Sequence, residues 1–266
     1  MLINSVILIL REVLEAAVLV SLLLVLSLNL RLGIRWLLWS LPLAAIGTLL
    51  YAKQLGVITD MLDGAGQEIT NASLQGLVYL FCLVLVACSV LVRTRSQIRS
   101  VMVILIGAAV CCAMIREAAE IFIYISGFTS VDEYRGAVIV GGAIGAGIGL
   151  SLGVLLFFGL RALSERHSYV LTVVLIVFIA AGMVMQATML MQQVDWLATD
   201  RTLWDSSFIL SEQSIAGELL YAVFGYESSP SATQIELYIG SLLLMLTTYT
   251  AAHLVSRRGD QYASEI

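Results

Sequence analysis

Two apolar runs, each long enough to cross a bilayer, are broken by the same charged motif. Arg11-Glu12-Val13-Leu14-Glu15 interrupts the run from Leu2 to Leu28, and Arg116-Glu117-Ala118-Ala119-Glu120 interrupts the run from Val101 to Ile125. Both read R-E-x-x-E. A charged group at the bilayer centre costs at least ~2.5–3.5 kcal/mol on insertion scales, so six of them in two spans need a reason, and the default reason is an ion or proton path. The rest of the chain leaves little room for another setting. It is 60% hydrophobic and only 12% charged, where a soluble domain carries about 25% charged residues. The fold class expected is an all-α polytopic membrane protein, with residues 1–266 forming a single transmembrane domain.

A span needs about 20 mainly apolar residues, and seven segments qualify: 3–29, 36–56, 72–92, 101–126, 136–160, 168–192 and 233–255. None alternates as a β-barrel strand would. The N-terminus lacks a basic stretch and a small-residue cleavage site, so it reads as a retained span. The basic residues set the orientation. Arg31, Arg35, Arg93, Arg95, Arg99, Arg161, Arg166, Arg257 and Arg258 all fall on one side, the cytoplasmic one. The opposite side holds eleven acids, including Asp60, Asp63, Glu68, Asp195, Asp200 and Asp205. The expectation is therefore an outside N-terminus, a cytoplasmic C-terminus and an acidic outer face. Trp196 and Trp204 suit the outer interface, and Trp36 and Trp39 the inner one. Gly141, Gly145, Gly149 and Gly153 form overlapping small-xxx-small steps, a close-packing face toward a neighbouring helix.

The two motifs lie 105 residues apart, in the first and fourth spans. An odd number of steps separates those spans, so the two helices run in opposite directions. Spans 1–3 and 4–6 then form an inverted 3+3 repeat, a plan that transporters use with the site at the repeat interface near the membrane middle. Repeat one covers about 1–95, repeat two about 96–195, and an outer loop with the last span about 196–266. At 1.5 Å per residue, Glu12 and Glu15 lie ~13–19 Å from the outer end of their span, and Glu117 and Glu120 ~10–15 Å from theirs. The four carboxylates can meet at one level.

Within each motif the glutamates are i, i+3 and share a helix face. Arg11 with Glu15, and Arg116 with Glu120, are i, i+4 pairs in which each arginine offsets part of the acidic charge. Four carboxylates and two guanidiniums sum to a formal −2, which suits a multivalent cation. Carboxylate oxygens are hard ligands, fit for iron, manganese, magnesium or calcium rather than copper(I). The opposing readings are two structural ion pairs that lock a bundle, and a proton relay.

These residues resemble the high-affinity iron permease family of fungal ferric permeases and bacterial EfeU-type iron transporters, which carries R-E-G-x-E in its first and fourth spans. Ala180-Ala181-Gly182, Leu203-Trp204-Asp205-Ser206-Ser207, Gly217-Glu218-Leu219-Leu220 and Phe224-Gly225-Tyr226 with Pro230 extend the likeness over nearly the whole chain. The resemblance implies a plasma-membrane permease that imports iron through Glu12, Glu15, Glu117 and Glu120. Arg11 and Arg116 would be charge partners, and Asp60, Asp63 and Glu68 an outer metal-gathering group. Iron would be a transported substrate rather than a bound cofactor. The partners implied are membrane lipid and an extracytoplasmic oxidase or iron-delivery protein. The sequence departs from the family at Val13 and Ala118, where glycine is usual, and at Gln75, where many relatives have glutamate. Val13 and Ala118 are expected to hold two backbones further apart than glycine would.

Three other classes lose ground on the sequence. A di-iron carboxylate enzyme needs Glu-x-x-His on core helices, yet the two histidines, His167 and His253, sit at span ends. No phosphate-cradling loop is present, and nothing in the charge pattern suggests nucleic acid. A permease for another divalent metal, lead or manganese, and a non-transporting membrane subunit with structural ion pairs are the alternatives. Met183, Met185, Met189 and Met191 read as core filling, as do Cys82, Cys88, Cys111 and Cys112. Gln186, Gln192 and Gln193 either line a cavity or pair across helices. Asn71-Ala72-Ser73 is a glycosylation sequon beside a span.

Overall fold

The computed structural model describes residues 1–92, 97–129 and 132–264. Arg93 and Arg95 of the basic set lie outside the described residues, as does the side chain of Arg258. The helices in chain order are α1 (Leu2–Asn29), α2 (Leu37–Lys53), α3 (Leu55–Asp60), α4 (Gly66–Leu91), α5 (Ile98–Thr129), α6 (Asp132–Ala162), α7 (Glu165–Gln193), α8 (Ile215–Phe224) and α9 (Ala232–Ser264). No β-strand occurs among the described residues; one isolated bridge joins Thr202 and Ser231.

Five of these helices, α4 to α7 and α9, are long and apolar enough to cross a membrane. A sixth candidate is α2 together with α3 and the turn that follows, bent by 63°. The segment α1 has the length, at 28 residues, and carries Arg11, Glu12 and Glu15 within it. Several helices outrun the apolar stretches that announce them, because backbone hydrogen bonding continues past the hydropathy edge. The third stretch begins not at 72 but at Gly66. That extra length places Glu68 and Asn71 on α4.

In lipid the apolar effect between helices is weak, and close packing takes its place. The glycine face of α6 shows this. A methyl group added at Gly141 would meet Leu2 O at 2.6 Å, and at Gly145 it would meet Val6 O at 2.4 Å. At Gly149 and Gly153 it would crowd Val13 and Ala17. Residue numbers rise together on both helices, so α1 and α6 run parallel in backbone contact. The remaining contacts pair α2 with α5, α4 with α7, and α4 with α5, while α9 lies against α4 and α7. Leu22, Leu23 and Leu26 of α1, Leu85 of α4, Ile106 of α5 and Ile176 of α7 are fully buried between them.

Two expectations change. Trp36 is not an interface anchor: it is fully buried, and its Nε1 donates to Ser27 Oγ at 3.2 Å. The second is α8, a ten-residue helix too short to register as apolar length. Ser214 caps its start by accepting from Gly217 N at 3.0 Å. Gly225, at φ 66°, ends it in the left-handed conformation that glycine adopts without steric cost. The loop 194–214 is tied back to the segment after α8 through Leu203 N to Pro230 O and Ser206 N to Ser228 O.

The α1–α6 contact makes a paired prediction. Gly145→Val should destabilise the bundle by ~1–3 kcal/mol or more, because overpacking here meets backbone rather than a movable side chain. Gly147→Val, where an added methyl group meets nothing within 4 Å, should be near neutral. Melting of the two purified variants checks this, and equal melting temperatures would contradict it.

Candidate metal centre

The helices that carry the two motifs cross antiparallel. Near the start of α1, Ser5 Oγ lies 2.7 Å from Tyr124 Oη of α5. Further along α1, Glu15 meets Arg116, which comes earlier in α5. The crossing brings Glu12, Glu15 and Glu117 together, each offering one carboxylate oxygen within 4.8 Å of the others. All three are buried, at 0%, 6% and 2% exposure.

Arg116 lies in this group. Its Nη1 donates to Glu15 Oε2 at 2.9 Å and to Glu117 Oε1 at 2.6 Å, and its Nε lies 3.3 Å from Glu120 Oε1. The expected i, i+4 pair of Arg116 and Glu120 is therefore present. The expected pair of Arg11 and Glu15 is not. Glu15 is held across the helix interface by Arg116, while Arg11 turns toward the neighbouring cavity. There it donates to Glu12 Oε1 from Nε at 2.8 Å and from Nη2 at 2.5 Å, and Nη2 comes within 4.0 Å of Glu120 Oε2. Glu120 stands outside the tight trio. Its Oε1 accepts from Asn71 Nδ2 at 3.1 Å, and Asn71 Oδ1 accepts from Tyr51 Oη at 3.2 Å. Asn71 is thus a buried partner of the site, and a sugar acceptor would need its amide exposed.

Three oxygens of the trio, Glu12 Oε2, Glu15 Oε1 and Glu117 Oε2, are buried with no hydrogen-bond partner. An unsatisfied buried polar group costs ~1–3 kcal/mol, more when charged. A cation held by one oxygen from each of the three carboxylates would offset this buried negative charge. A cavity of about 550 Å³ reaches Glu12, Arg11 and Glu120, and Gln67, Glu68 and Gln193 also line it. Glu68 Oε2 is likewise unpartnered. Asp60 and Asp63 sit apart from it, exposed in the turn between α3 and α4, so the outer acidic group divides. A second cavity of about 300 Å³ adjoins Glu12 and Glu117 but is otherwise apolar, with Val13, Leu41, Met114 and Ala118 among its walls. The polar cavity is the approach that suits an ion.

Val13 does not hold α1 and α6 apart: Gly149 receives it, and Leu14 N still comes within 3.2 Å of where a Gly149 methyl group would lie. Asp200 and Asp205 serve the loop itself, accepting from Thr233 Oγ1 at 2.5 Å and from Ser207 N at 2.9 Å.

Sequence reasoning left Gln186 and Gln75 without an assigned role. Gln186 Nε2 donates to the carbonyls of Tyr221 and Ala222 in α8, both at 3.2 Å. Its Oε1 accepts from Gln75 Nε2 at 2.6 Å and from Arg116 Nη1 at 3.5 Å. The end of α8 can come this close because Gly225 lies on Gly182, where a methyl group on either would meet the other's backbone. The two glycine segments noted in the sequence are thus two sides of one contact.

The family model described as the iron permease FTR1 family matches residues 97–257, which include the second motif. The chain belongs to this family. Among curated relatives, the proteins named ferrous iron permease EfeU from Shigella flexneri, Shigella sonnei and Escherichia coli O6:K15:H31 are each 27% identical over 111 residues. That stretch is 41% of this chain and 40–47% of theirs, so the match spans under half the length of these relatives. No solved structure matches the chain. Membership agrees with the apolar helices: this is a multi-pass membrane protein.

Beyond the membrane helices, the segment after α8 is pinned by an acid pair. Glu212 Oε1 accepts from Ser228 N at 2.7 Å and from the Ser228 hydroxyl. Burial, then its hydrogen bond and charge repulsion with Glu212, push Glu227 up to about 7. Burial alone would raise Glu212, but hydrogen bonds from Glu227 and Ser228 hold it below its ordinary value. The raised group supports the fold fully below its ordinary value and loses that support as pH rises through about 7. The lowered group loses its support only in acid. Protease nicking or amide exchange in residues 203–231 should therefore increase between about pH 5.5 and about pH 8, roughly a unit or more either side of the Glu227 value. Glu227→Gln should flatten that rise, and an unchanged profile would count against the pair.

Proposed function

We propose that this protein is an iron permease that carries iron across the plasma membrane through a site built from Glu12, Glu15, Glu117 and Glu120. The observation that carries the reading is the buried trio of carboxylates with three unpartnered oxygens beside a polar cavity. The all-oxygen donor set favours a hard cation, and the names of the curated relatives make ferrous iron the first candidate.

In this reading α1, the bent α2–α3 unit, α4, α5, α6, α7 and α9 are seven spans. The first three pair with the next three as an inverted repeat. The contacts support that plan: α1 packs on α6 as α2 packs on α5, while α1 meets α5 and α4 meets α7 across the centre. The N-terminus is outside and the C-terminus cytoplasmic, in line with the arginine distribution. Iron gathers at the acidic outer face, enters the cavity past Glu68, and reaches the trio from Glu120 and Glu12. Rocking of one repeat against the other then opens the site inward. An extracytoplasmic oxidase or iron-delivery protein would dock on the outer loops. Manganese and lead share the donor chemistry and enter the test as competitors.

The test is uptake of radioactive ferrous and ferric iron into cells that express the chain, with manganese, zinc and lead as competitors. Glu12→Gln and Glu117→Gln should each abolish iron uptake, by about two orders of magnitude or more for loss of a ligand at a buried charged site, with the protein still inserted. Normal uptake in both variants would sink the reading.

A further inference from the structure

The position of Arg116 raises a question that a charge partner's role does not answer. Its Nη1 is hydrogen-bonded to two of the three carboxylates that can hold a cation, at 2.9 and 2.6 Å. A guanidinium therefore already stands against the cation position. The same Nη1 has a third oxygen at 3.5 Å, Gln186 Oε1. That oxygen cannot turn away. The Gln186 amide donates both hydrogens to the Tyr221 and Ala222 carbonyls, which fixes its oxygen toward Arg116 and Gln75. Gln186 itself is 2% exposed, and its surroundings on α7 and α8 are closed by the Gly182–Gly225 contact.

We infer that Arg116 is a tethered competing cation, which leans on Glu15 and Glu117 when iron is absent and shifts toward Gln186 when iron binds. This rests on the iron-permease reading and adds to it the residue that sets how tightly the substrate is held. A divalent ion held by Glu12, Glu15 and Glu117 would share Glu15 and Glu117 with the guanidinium, among buried side chains where little water screens the repulsion. The neutral Gln186 oxygen accepts a guanidinium hydrogen bond at no charge penalty. When the guanidinium returns to the carboxylates it weakens the hold on iron, which favours release. A conducting site needs binding firm enough to capture and weak enough to let go. Arg11 does not duplicate this role: its side chain is 32% exposed to the cavity, and it bonds one oxygen of Glu12.

The experiment is binding of radioactive ferrous iron, under reducing conditions, to the purified full chain in lipid nanodiscs, alongside uptake kinetics in cells. Arg116→Gln should bind ferrous iron at least about tenfold more tightly, since a like charge beside the ion is gone. Its maximal uptake rate should fall together with KM. Gln186→Met removes the alternative acceptor and should weaken iron binding several-fold while Arg116 is present. In the Arg116→Gln background it should change nothing, a coupling that a packing defect would not produce. Unchanged or weaker binding in Arg116→Gln would show an arginine that merely holds the carboxylates, and would overturn the inference. If Arg116→Gln does not accumulate, Gln186→Met decides: unchanged or tighter binding at an unchanged melting temperature overturns it. A wild-type chain that binds no ferrous iron would instead sink the permease reading itself.

Discussion

The arrangement depends on one contact, the Arg116 guanidinium between Glu15 of α1 and Glu117 of α5. Removing one partner of a buried ion pair costs about 3–5 kcal/mol, because the remaining charge is stranded. This chain buries Arg116, Glu15 and Glu117 at a helix crossing, so those helices must meet where the charges are, and in one register. Ser5 and Tyr124 hold the same crossing nearer the start of α1. Because α1 and α5 are locked there, α6 can lie along α1 with its glycine face, and α2 along α5. The packing of apolar surface alone would not fix that register in lipid, where one leucine face is much like another.

The same contact explains which parts were legible in the sequence. Charged residues inside apolar runs are unmistakable, and their i, i+3 and i, i+4 spacings identify the helix face they share. The antiparallel meeting of the motifs follows from counting spans. The choice of partners does not. Arg116 satisfies Glu120 along its own helix as expected, but Arg11 takes Glu12 because Glu15 is claimed across the interface. Local spacing defines which pairs can form, and tertiary competition chooses among them. The site's polar surroundings were harder to read for a related reason. Asn71 looks like a loop sequon until α4 begins at Gly66, nearly two turns earlier than its hydropathy suggests. Helix ends follow backbone hydrogen bonding, which hydropathy does not report.

The segment α8 was hidden by length. Ten residues cannot span a membrane, and the carbonyls at its end need donors. Gly225 N donates to Tyr221 O, Gln186 adds donors to Tyr221 O and Ala222 O, and Gly182 with Gly225 removes the side chains that would keep the two segments apart. The sequence carried every cue, a capping serine, a terminating glycine and a facing glycine on another helix. It did not say that the two glycines meet. Asp200 ties the preceding loop to the start of α9 through Thr233, and Asp205 braces the loop at Ser207, so hydrogen bonding accounts for these acids.

Val13 and Ala118 stand where the family motif usually has glycine, and the packing around Val13 shows how its bulk is accommodated. Glycine at position 13 would leave room for a close neighbour; Val13 fills that room, and Gly149 on the neighbour makes it again. The volume is conserved across the interface rather than at the residue. Ala118, like Val13, walls the apolar cavity beside Glu117. The two motifs, alike in sequence, thus sit in unlike surroundings. One arginine is buried among carboxylates and the other opens to a polar cavity. Both x positions wall the apolar cavity, and Val13 also packs against Gly149. The carboxylate trio therefore has a wet side, where the polar cavity reaches Glu12, and a dry side, where the apolar cavity adjoins Glu12 and Glu117.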